Sequence, residues 1–267
     1  MNNKIKNRIY YFSGTGNCLK LSEDIAEKIG DCEIVSISHK TDCALPENYD
    51  RIGFVFPVYF LGLPKVMDSF LKNLKPMDSE TVANTYFFTV ATCGVLVGNA
   101  IPQLNMRLKQ KGACLHYGIK HIMFSNCVQM YDMNKNVDKI TQKSDENAKP
   151  IIDDIKNLKR NSILPFNILL DKYYKMQIGR VNNLDYDYNA DNNCSGCGIC
   201  ASVCPVENIL IENKKPAFRH QCEFCSACIQ YCPNKSLNYK NTTQKRRRYH
   251  HPKIGFKKIS NSRESDL

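Results

Sequence analysis

The sequence predicts an α/β protein, a doubly wound parallel sheet followed by a small α+β module built around cysteine. Three observations carry this expectation. Strand-like and helical patterns alternate through the first 160 of 267 residues. The strand-like runs are apolar throughout, as in a parallel sheet covered by helices on both faces. Eight of the fourteen cysteines fall between Cys194 and Cys232.

Taken in order, Arg8-Ile9-Tyr10-Tyr11-Phe12 is a short β-rich run. Cys18, Leu21, Ile25, Ala26 and Ile29 then recur at helical spacing and stop at Gly30. Glu33 to Ile37 and Ile52 to Phe56 read as the second and third strands, the latter stopped by Pro57. A helix follows Pro64 with Val66, Met67, Phe70, Leu71 and Leu74 on one face. Thr85 to Ala91 is a fourth strand. Val97, Ala100, Ile101, Leu104 and Leu108 form a helical stripe ending near Gly112, and Cys114 to Ile122 is a fifth strand. Residues 137–159 read as a last helix, broken or kinked at Pro150. The expected domains are residues 1–160, a connecting segment 161–190, the cysteine module 191–240 and a basic tail 241–267. Phe166, Ile168, Leu169, Leu170, Tyr173, Tyr174, Met176 and Ile178 make the connector too apolar for a solvated linker. It is expected to pack between the modules or to complete the first core.

Composition excludes several classes. Hydrophobic residues are 43% and charged residues 24%, ordinary for a globular chain and unlike a disordered or coiled-coil one. Residues 81–106 carry no charge, but Asn84, Gly94, Gly98, Asn99, Pro102 and Gln103 interrupt them, so a buried strand and helix are expected and no membrane insertion. The opening MNNKIKNRIYYF lacks the apolar region and cleavage site of a secretory signal, so the expected location is cytoplasmic. Crowded cysteines in that reducing compartment point to metal ligands rather than disulfides. The net charge is +11, and residues 241–267, with eight Lys/Arg and two Asp/Glu, supply +6 of it. The expected state of that tail is a solvated end. Packing against the cysteine module or steering an acidic partner is the alternative, and nucleic-acid binding is disfavoured.

The cysteines form a repeat. Cys194-x-x-Cys197-x-x-Cys200-x-x-x-Cys204-Pro205 is followed, 28 residues on, by Cys222-x-x-Cys225-x-x-Cys228-x-x-x-Cys232-Pro233. Two-residue gaps place three thiolates around one cube-shaped cluster, and the fourth cysteine of each run ligates the other cluster. Cys194, Cys197, Cys200 and Cys232 are thus assigned to one [4Fe-4S] cluster. Cys222, Cys225, Cys228 and Cys204 are assigned to the second. Structural zinc sites usually take two separated Cys pairs, which this pattern is not. Ile209 to Ile211 and Pro216 to Phe218 predict a small hairpin over the clusters. The region resembles the bacterial two-cluster ferredoxins over about 50 residues.

The first strand ends in Ser13-Gly14-Thr15-Gly16-Asn17, whose hydroxyls, amide and backbone N–H groups at a helix N-terminus form an anion site. It lacks the lysine of a nucleotide-triphosphate loop, and Leu19 stands where a dinucleotide fingerprint needs its third glycine. The loop resembles the phosphate loop of the flavodoxins, with Ser13, Thr15, Gly16 and Asn17 matching and Cys18 in place of a usual threonine. The resemblance implies a 2-1-3-4-5 sheet with FMN at its switch point. It also implies that Pro57, Val58 and Tyr59 flank the flavin ring, with Thr92, Cys93 and Gly94 as the second ring loop. Tyr59 is the candidate for ring stacking, and capping the following helix is its alternative role. Cys18, Cys93 and Cys127 are expected to be inert thiols.

Together the motifs resemble the flavodoxin–ferredoxin fusion proteins of anaerobes. The resemblance implies electron transfer between two [4Fe-4S] clusters and FMN, serving redox partner proteins, by a carrier more than by an enzyme with a defined organic substrate. A ferredoxin-type carrier with a flavin-free scaffold, or an iron–sulfur sensor using the basic tail, are the alternative readings.

Overall fold

The computed structural model describes residues 6–133 and 136–264. Five strands, β1 (Asn7–Tyr11), β2 (Cys32–Ser36), β3 (Arg51–Pro57), β4 (Tyr86–Cys93) and β5 (Tyr117–Ile122), form one sheet in the order β2-β1-β3-β4-β5. Every pairing in it is parallel. This is the flavodoxin-like doubly wound order, with its switch point between β1 and β3.

Helices α1 (Asn17–Ile29), α2 (Lys65–Asn73), α3 (Ser79–Asn84), α4 (Ala100–Lys109) and α5 (Val137–Lys156) connect the strands. One face of the sheet buries Phe54, Phe56 and Phe87 with Met67 and Phe70 of α2 and Leu104 and Leu108 of α4. The other buries Ile9, Val55 and Val90 with Leu21 and Ile25 of α1 and Ile152 and Ile155 of α5. The short α3 escapes a reading by apolar stripe because none of its residues is buried; Asp78 caps it, accepting from the Thr81 N–H at 2.8 Å.

Two expectations change. Helix α5 runs unbroken through Pro150. Glu146, whose carbonyl loses its intrahelical partner there, and Pro150 both lie on the exposed face, while Ala148, Ile151 and Ile155 anchor the buried face. The connector is also wetter than its composition suggests. Helix α6 (Ile168–Ile178) buries only Asp171 and Tyr174, and Ile168, Leu169, Tyr173 and Met176 are exposed. Tyr174 reaches the first unit, its hydroxyl donating to the Leu63 carbonyl at 2.9 Å. A 3-10 turn (Val181–Asp187) then meets the second unit, where Asn182 donates to the Cys222 carbonyl at 3.2 Å.

The second unit contains β6 (Tyr188–Ala190), α7 (Ile199–Ser202), the hairpin β7 (Ile209–Glu212) and β8 (Lys215–Phe218), α8 (Ala227–Gln230) and β9 (Leu237–Tyr239). β6 and β9 pair antiparallel and close it. It is pressed into the carboxyl ends of the sheet: Val206 joins one core layer, and Val203, Ala227 and Tyr231 join the other. Among the described residues, no helix is long and apolar enough to cross a membrane.

The largest departure is the basic tail, which is not a solvated end. Tyr249, His251, Ile254 and Ile259 are buried, and helix α9 (Phe256–Glu264) lies against β2. The apolar and aromatic residues between its charges supply the burial that net charge conceals.

Candidate functional site

The loops after β1, β3, β4 and β5 surround a cavity of about 330 Å³, within the range of small-molecule sites. Ser13, Gly14, Thr15, Asn17, Cys18, Pro57, Val58, Tyr59, Thr92, Cys93 and Gly94 all line it. Gly16 does not. Its φ of +90° begins α1, and a β-carbon there would lie 2.7 Å from the Ile254 side chain. The tail therefore occupies the space beside it.

The loop is held by neutral dipoles. Ser13 Oγ accepts from the Gly16 N–H at 3.0 Å, and Asn126 donates to Thr15 Oγ1 at 2.8 Å. Asn17 donates to the Phe124 carbonyl at 3.3 Å and accepts from the Tyr249 hydroxyl at 2.6 Å. Among the described residues, no Asp, Glu, Lys, Arg or His lines the cavity. An anion there relies on hydroxyls, amide N–H groups and the first turn of α1, whose N–H groups have no intrahelical acceptor.

After β3 the chain folds back on itself. Tyr59 and Gly62 exchange backbone hydrogen bonds of 3.0 and 2.8 Å around Phe60 (φ 50°) and Leu61 (φ 63°). Two bulky residues in the left-handed region are strained and hold a fixed wall. Tyr59 meets Phe12 edge-on with centroids 6.1 Å apart, and α2 has Pro64 at its N-cap with no side-chain cap, so Tyr59 does not serve there. Burial raises the Tyr59 pKa, keeping the phenol neutral. It pushes the Cys18 thiol up to about 12 and raises those of Cys93 and Cys127, so these thiols behave as small apolar groups.

The thiol quartets occupy two further cavities. Cys194, Cys197, Cys200 and Cys232 wall one, and Cys204, Cys222, Cys225 and Cys228 wall the other. All fourteen cysteines are free thiols. Among the described residues no group of three or more His, Cys, Asp or Glu closes on a single-ion site. The quartets surround a volume, as a polynuclear cluster requires. Backbone N–H groups of Asn208 and Phe224 donate to Cys204 Sγ and Cys222 Sγ, each at 3.2 Å, and such bonds favour the thiolate.

The second quartet adjoins the interstrand cavity. Cys225 and Ser226 line both. A β-carbon on Gly14 would fall inside the van der Waals surface of the Cys225 carbonyl oxygen, so glycine lets the loop after β1 touch this ligand's backbone. The tail crosses the same junction. The His251 N–H donates to the Thr15 carbonyl at 2.8 Å, and Tyr249 stacks on Phe124 at 4.3 Å.

Sequence reasoning missed the loop after β5 (Met123 to Cys127), the rim residues Phe60, Leu96, Met130 and Tyr131, and Phe224. The usable signal was the Asn-Cys pair following a fifth strand, since carboxyl-end loops of such sheets converge on one crevice.

A family model described as a 4Fe-4S dicluster domain matches residues 186–248. An uncharacterized protein, MJ1349, of Methanocaldococcus jannaschii is 40% identical over 47 residues, 18% of this chain and 13% of that protein. Pyruvate synthase subunit PorD of Methanothermobacter marburgensis is 47% identical over 38 residues, 14% of this chain and 41% of that subunit. The chain thus spans well under two thirds of either relative. Among solved structures, oxidised flavodoxin 1 from Bacillus cereus aligns with TM-score 0.37 and 20% identity, covering 54% of this chain and 97% of that one. A flavoprotein in complex with FMN from Lactobacillus acidophilus aligns with TM-score 0.34 and 17% identity, covering 43% and 93%. The strand order defines the first unit and the family match the second. The chain is a flavodoxin-like α/β unit fused to a 4Fe-4S ferredoxin-like unit.

Proposed function

We propose that the chain links two [4Fe-4S] clusters to an FMN held between the loops after β1 and β3, and exchanges electrons with a redox partner protein through the first cluster. The observation that carries this reading is the shared wall. Cys225 belongs to one thiol quartet and also lines the interstrand cavity, with its backbone against Gly14.

The residues present fit both groups. Each quartet surrounds its own cavity and has no competing disulfide. The cavity offers Ser13, Thr15 and Asn17 to a phosphate and Tyr59, Thr92, Cys93 and Gly94 to a ring. When bound, the clusters supply single electrons and the flavin interconverts one- and two-electron chemistry. The chain's part is positional. Phe60 and Phe224 stack at 6.1 Å and pin the ring-side loop to the cluster loop. Phe124 and Tyr249 close the phosphate side. Cys197 is exposed whereas Cys222 and Cys228 are buried, which favours the first quartet as the point of contact with a partner.

Anaerobically purified and reconstituted protein tests this. About eight irons per chain, a broad cluster absorption and stoichiometric FMN are expected. Iron without flavin would leave a ferredoxin with a scaffold domain, and bound zinc in place of iron would end the reading.

A further inference from the structure

Arg248 lies in the tail, yet its Nε and Nη1 are buried without a hydrogen-bond partner. Nη2 donates to Asn238 Oδ1 at 2.8 Å and to the carbonyls of Leu237 and Lys235 at 3.1 and 3.4 Å, all in the segment after Cys232. The next residue, Tyr249, donates its N–H at 2.8 Å to Gln230, on the helix that carries Cys228. The guanidinium is therefore fixed on the segment after Cys232, and its neighbour Tyr249 ties the same stretch of tail to the helix that carries Cys228. These two cysteines belong to different quartets.

An arginine cation does not lose its proton in a protein, so two unpaired buried N–H donors cost several kcal/mol unless an anion meets them. The neighbouring sites supply that anion. A [4Fe-4S] cluster with its four thiolates carries about −2 when oxidised and about −3 after one electron. A fixed cation at close range in a low-dielectric interior favours the more negative state.

We propose that Arg248 is a potential-tuning residue shared by the two cluster sites: a fixed buried cation that raises the reduction potential of both. One electron enters a cluster from the external donor, while no bond breaks and no proton moves at the guanidinium. The inference rests on the two-cluster reading above.

The test uses the full-length, cluster-loaded protein. Iron and sulfide are counted first, and the clusters are then titrated potentiometrically with EPR detection in wild type, Arg248→Gln, Arg248→Lys and Arg246→Gln. Arg246 is the control, a tail cation that instead donates to the Val128 carbonyl at 2.7 Å. In R248Q the reduced-to-oxidised ratio at fixed potential should fall about tenfold, which is a shift of about 59 mV for a one-electron couple. R248K should fall less and R246Q should not move. Fully loaded R248Q titrating with wild type overturns the proposal. If R248Q loads poorly, R248K decides: a lowered potential supports the proposal and a wild-type potential refutes it. A wild-type protein lacking iron shows that the two-cluster reading itself has failed, before any potential is read.

Discussion

The two halves of the cysteine repeat share their spacing and backbone and differ in the side chains around it. Gly196 (φ 69°) and Gly198 (φ 79°) in the first half correspond, 28 residues on, to Phe224 (φ 54°) and Ser226 (φ 65°) in the second. Both halves therefore adopt the same left-handed backbone. Glycine does so freely, whereas Phe and Ser pay roughly 1–2 kcal/mol each. The second half tolerates this because its side chains reach the α/β unit. Phe224 stacks on Phe60, itself at positive φ, and the Ser226 hydroxyl donates to Gln129. Aromatic pairing contributes about 0.5–1.5 kcal/mol, and the burial around it more. The first half is exposed surface, whereas the second is also an interface with the α/β unit.

The sharpest way to break this comparison uses the crossed ligands. Cys232→Ser should remove the cluster of the exposed half, and Cys204→Ser that of the interface half, each lowering iron from about eight toward about four per chain. Only Cys204→Ser should also weaken FMN binding, by about tenfold or more, since its quartet shares the flavin-side wall. EPR, iron analysis and FMN titration on both variants check this. FMN loss in C232S instead would show that the ligands are not crossed.

Acid should loosen the interface half selectively. Burial lowers the His251 pKa to about 4, with Asp145 pulling upward and Lys20 and Lys253 downward; Asp24 also faces it and pulls upward. Its Nε2 is 4.0 Å from Asp145 Oδ1. Because the folded pKa lies below the ordinary value of about 6.5, the unfolded chain takes the proton first. Stability is complete above about pH 6.5 and is lost as pH falls toward 4, by roughly 3 kcal/mol for this one group. The hydrogen-exchange protection factor of the His251 N–H, bonded to Thr15, should fall as pH drops through that window, and His251→Gln should flatten the profile. Exchange that does not change with pH in this way would show that His251 does not lock the tail to the loop.

Gly14→Ala should follow, at about 1–3 kcal/mol, because the new methyl meets a backbone carbonyl that cannot rotate away. FMN affinity and melting temperature should both drop while the EPR signal of the exposed cluster persists. In Gly196→Ala the damage should instead stay at the first cluster, where the β-carbon would meet Lys214 at 2.9 Å. Equal effects of the two substitutions on FMN would erase the distinction between the halves.

Much of this was legible in the sequence, for local reasons. The apolar strands, the stripe stopping at Gly30 and the cysteine spacing each encode their element within a few residues, and the 2-1-3-4-5 order was implied by the flavodoxin resemblance that the loop after β1 carries. What composition hid was long-range. Eight cations made the tail look solvated, but Tyr249, His251 and Ile254 pack on residues more than 200 positions away, and nothing in their own window announces it. Conversely, Ile168, Leu169 and Met176 read as core and lie exposed, because burial depends on a partner surface that local pattern does not supply. The glycines of the loop after β1 were assigned to a phosphate by resemblance, while Gly14 and Gly16 also admit Cys225 and Ile254.

The smallest expected effect tests the strain most directly. Ser226→Gly removes a left-handed serine, a gain of roughly 1 kcal/mol, and removes its hydrogen bond to Gln129, a loss of about the same size. Gln129 keeps its bonds to Tyr188, whose hydroxyl accepts at 2.9 Å, and to the Cys127 thiol, which donates at 3.8 Å, so the side chain stays in place. The two terms should cancel within about 0.5 kcal/mol, leaving the melting temperature of the loaded protein within a few degrees of wild type. A clear rise would mean that the hydroxyl contributes little and the strain is retained for the cofactor wall. A fall of several degrees would mean that Gln129, and not the Phe60–Phe224 stack, is the main tie between the cluster loop and the α/β unit.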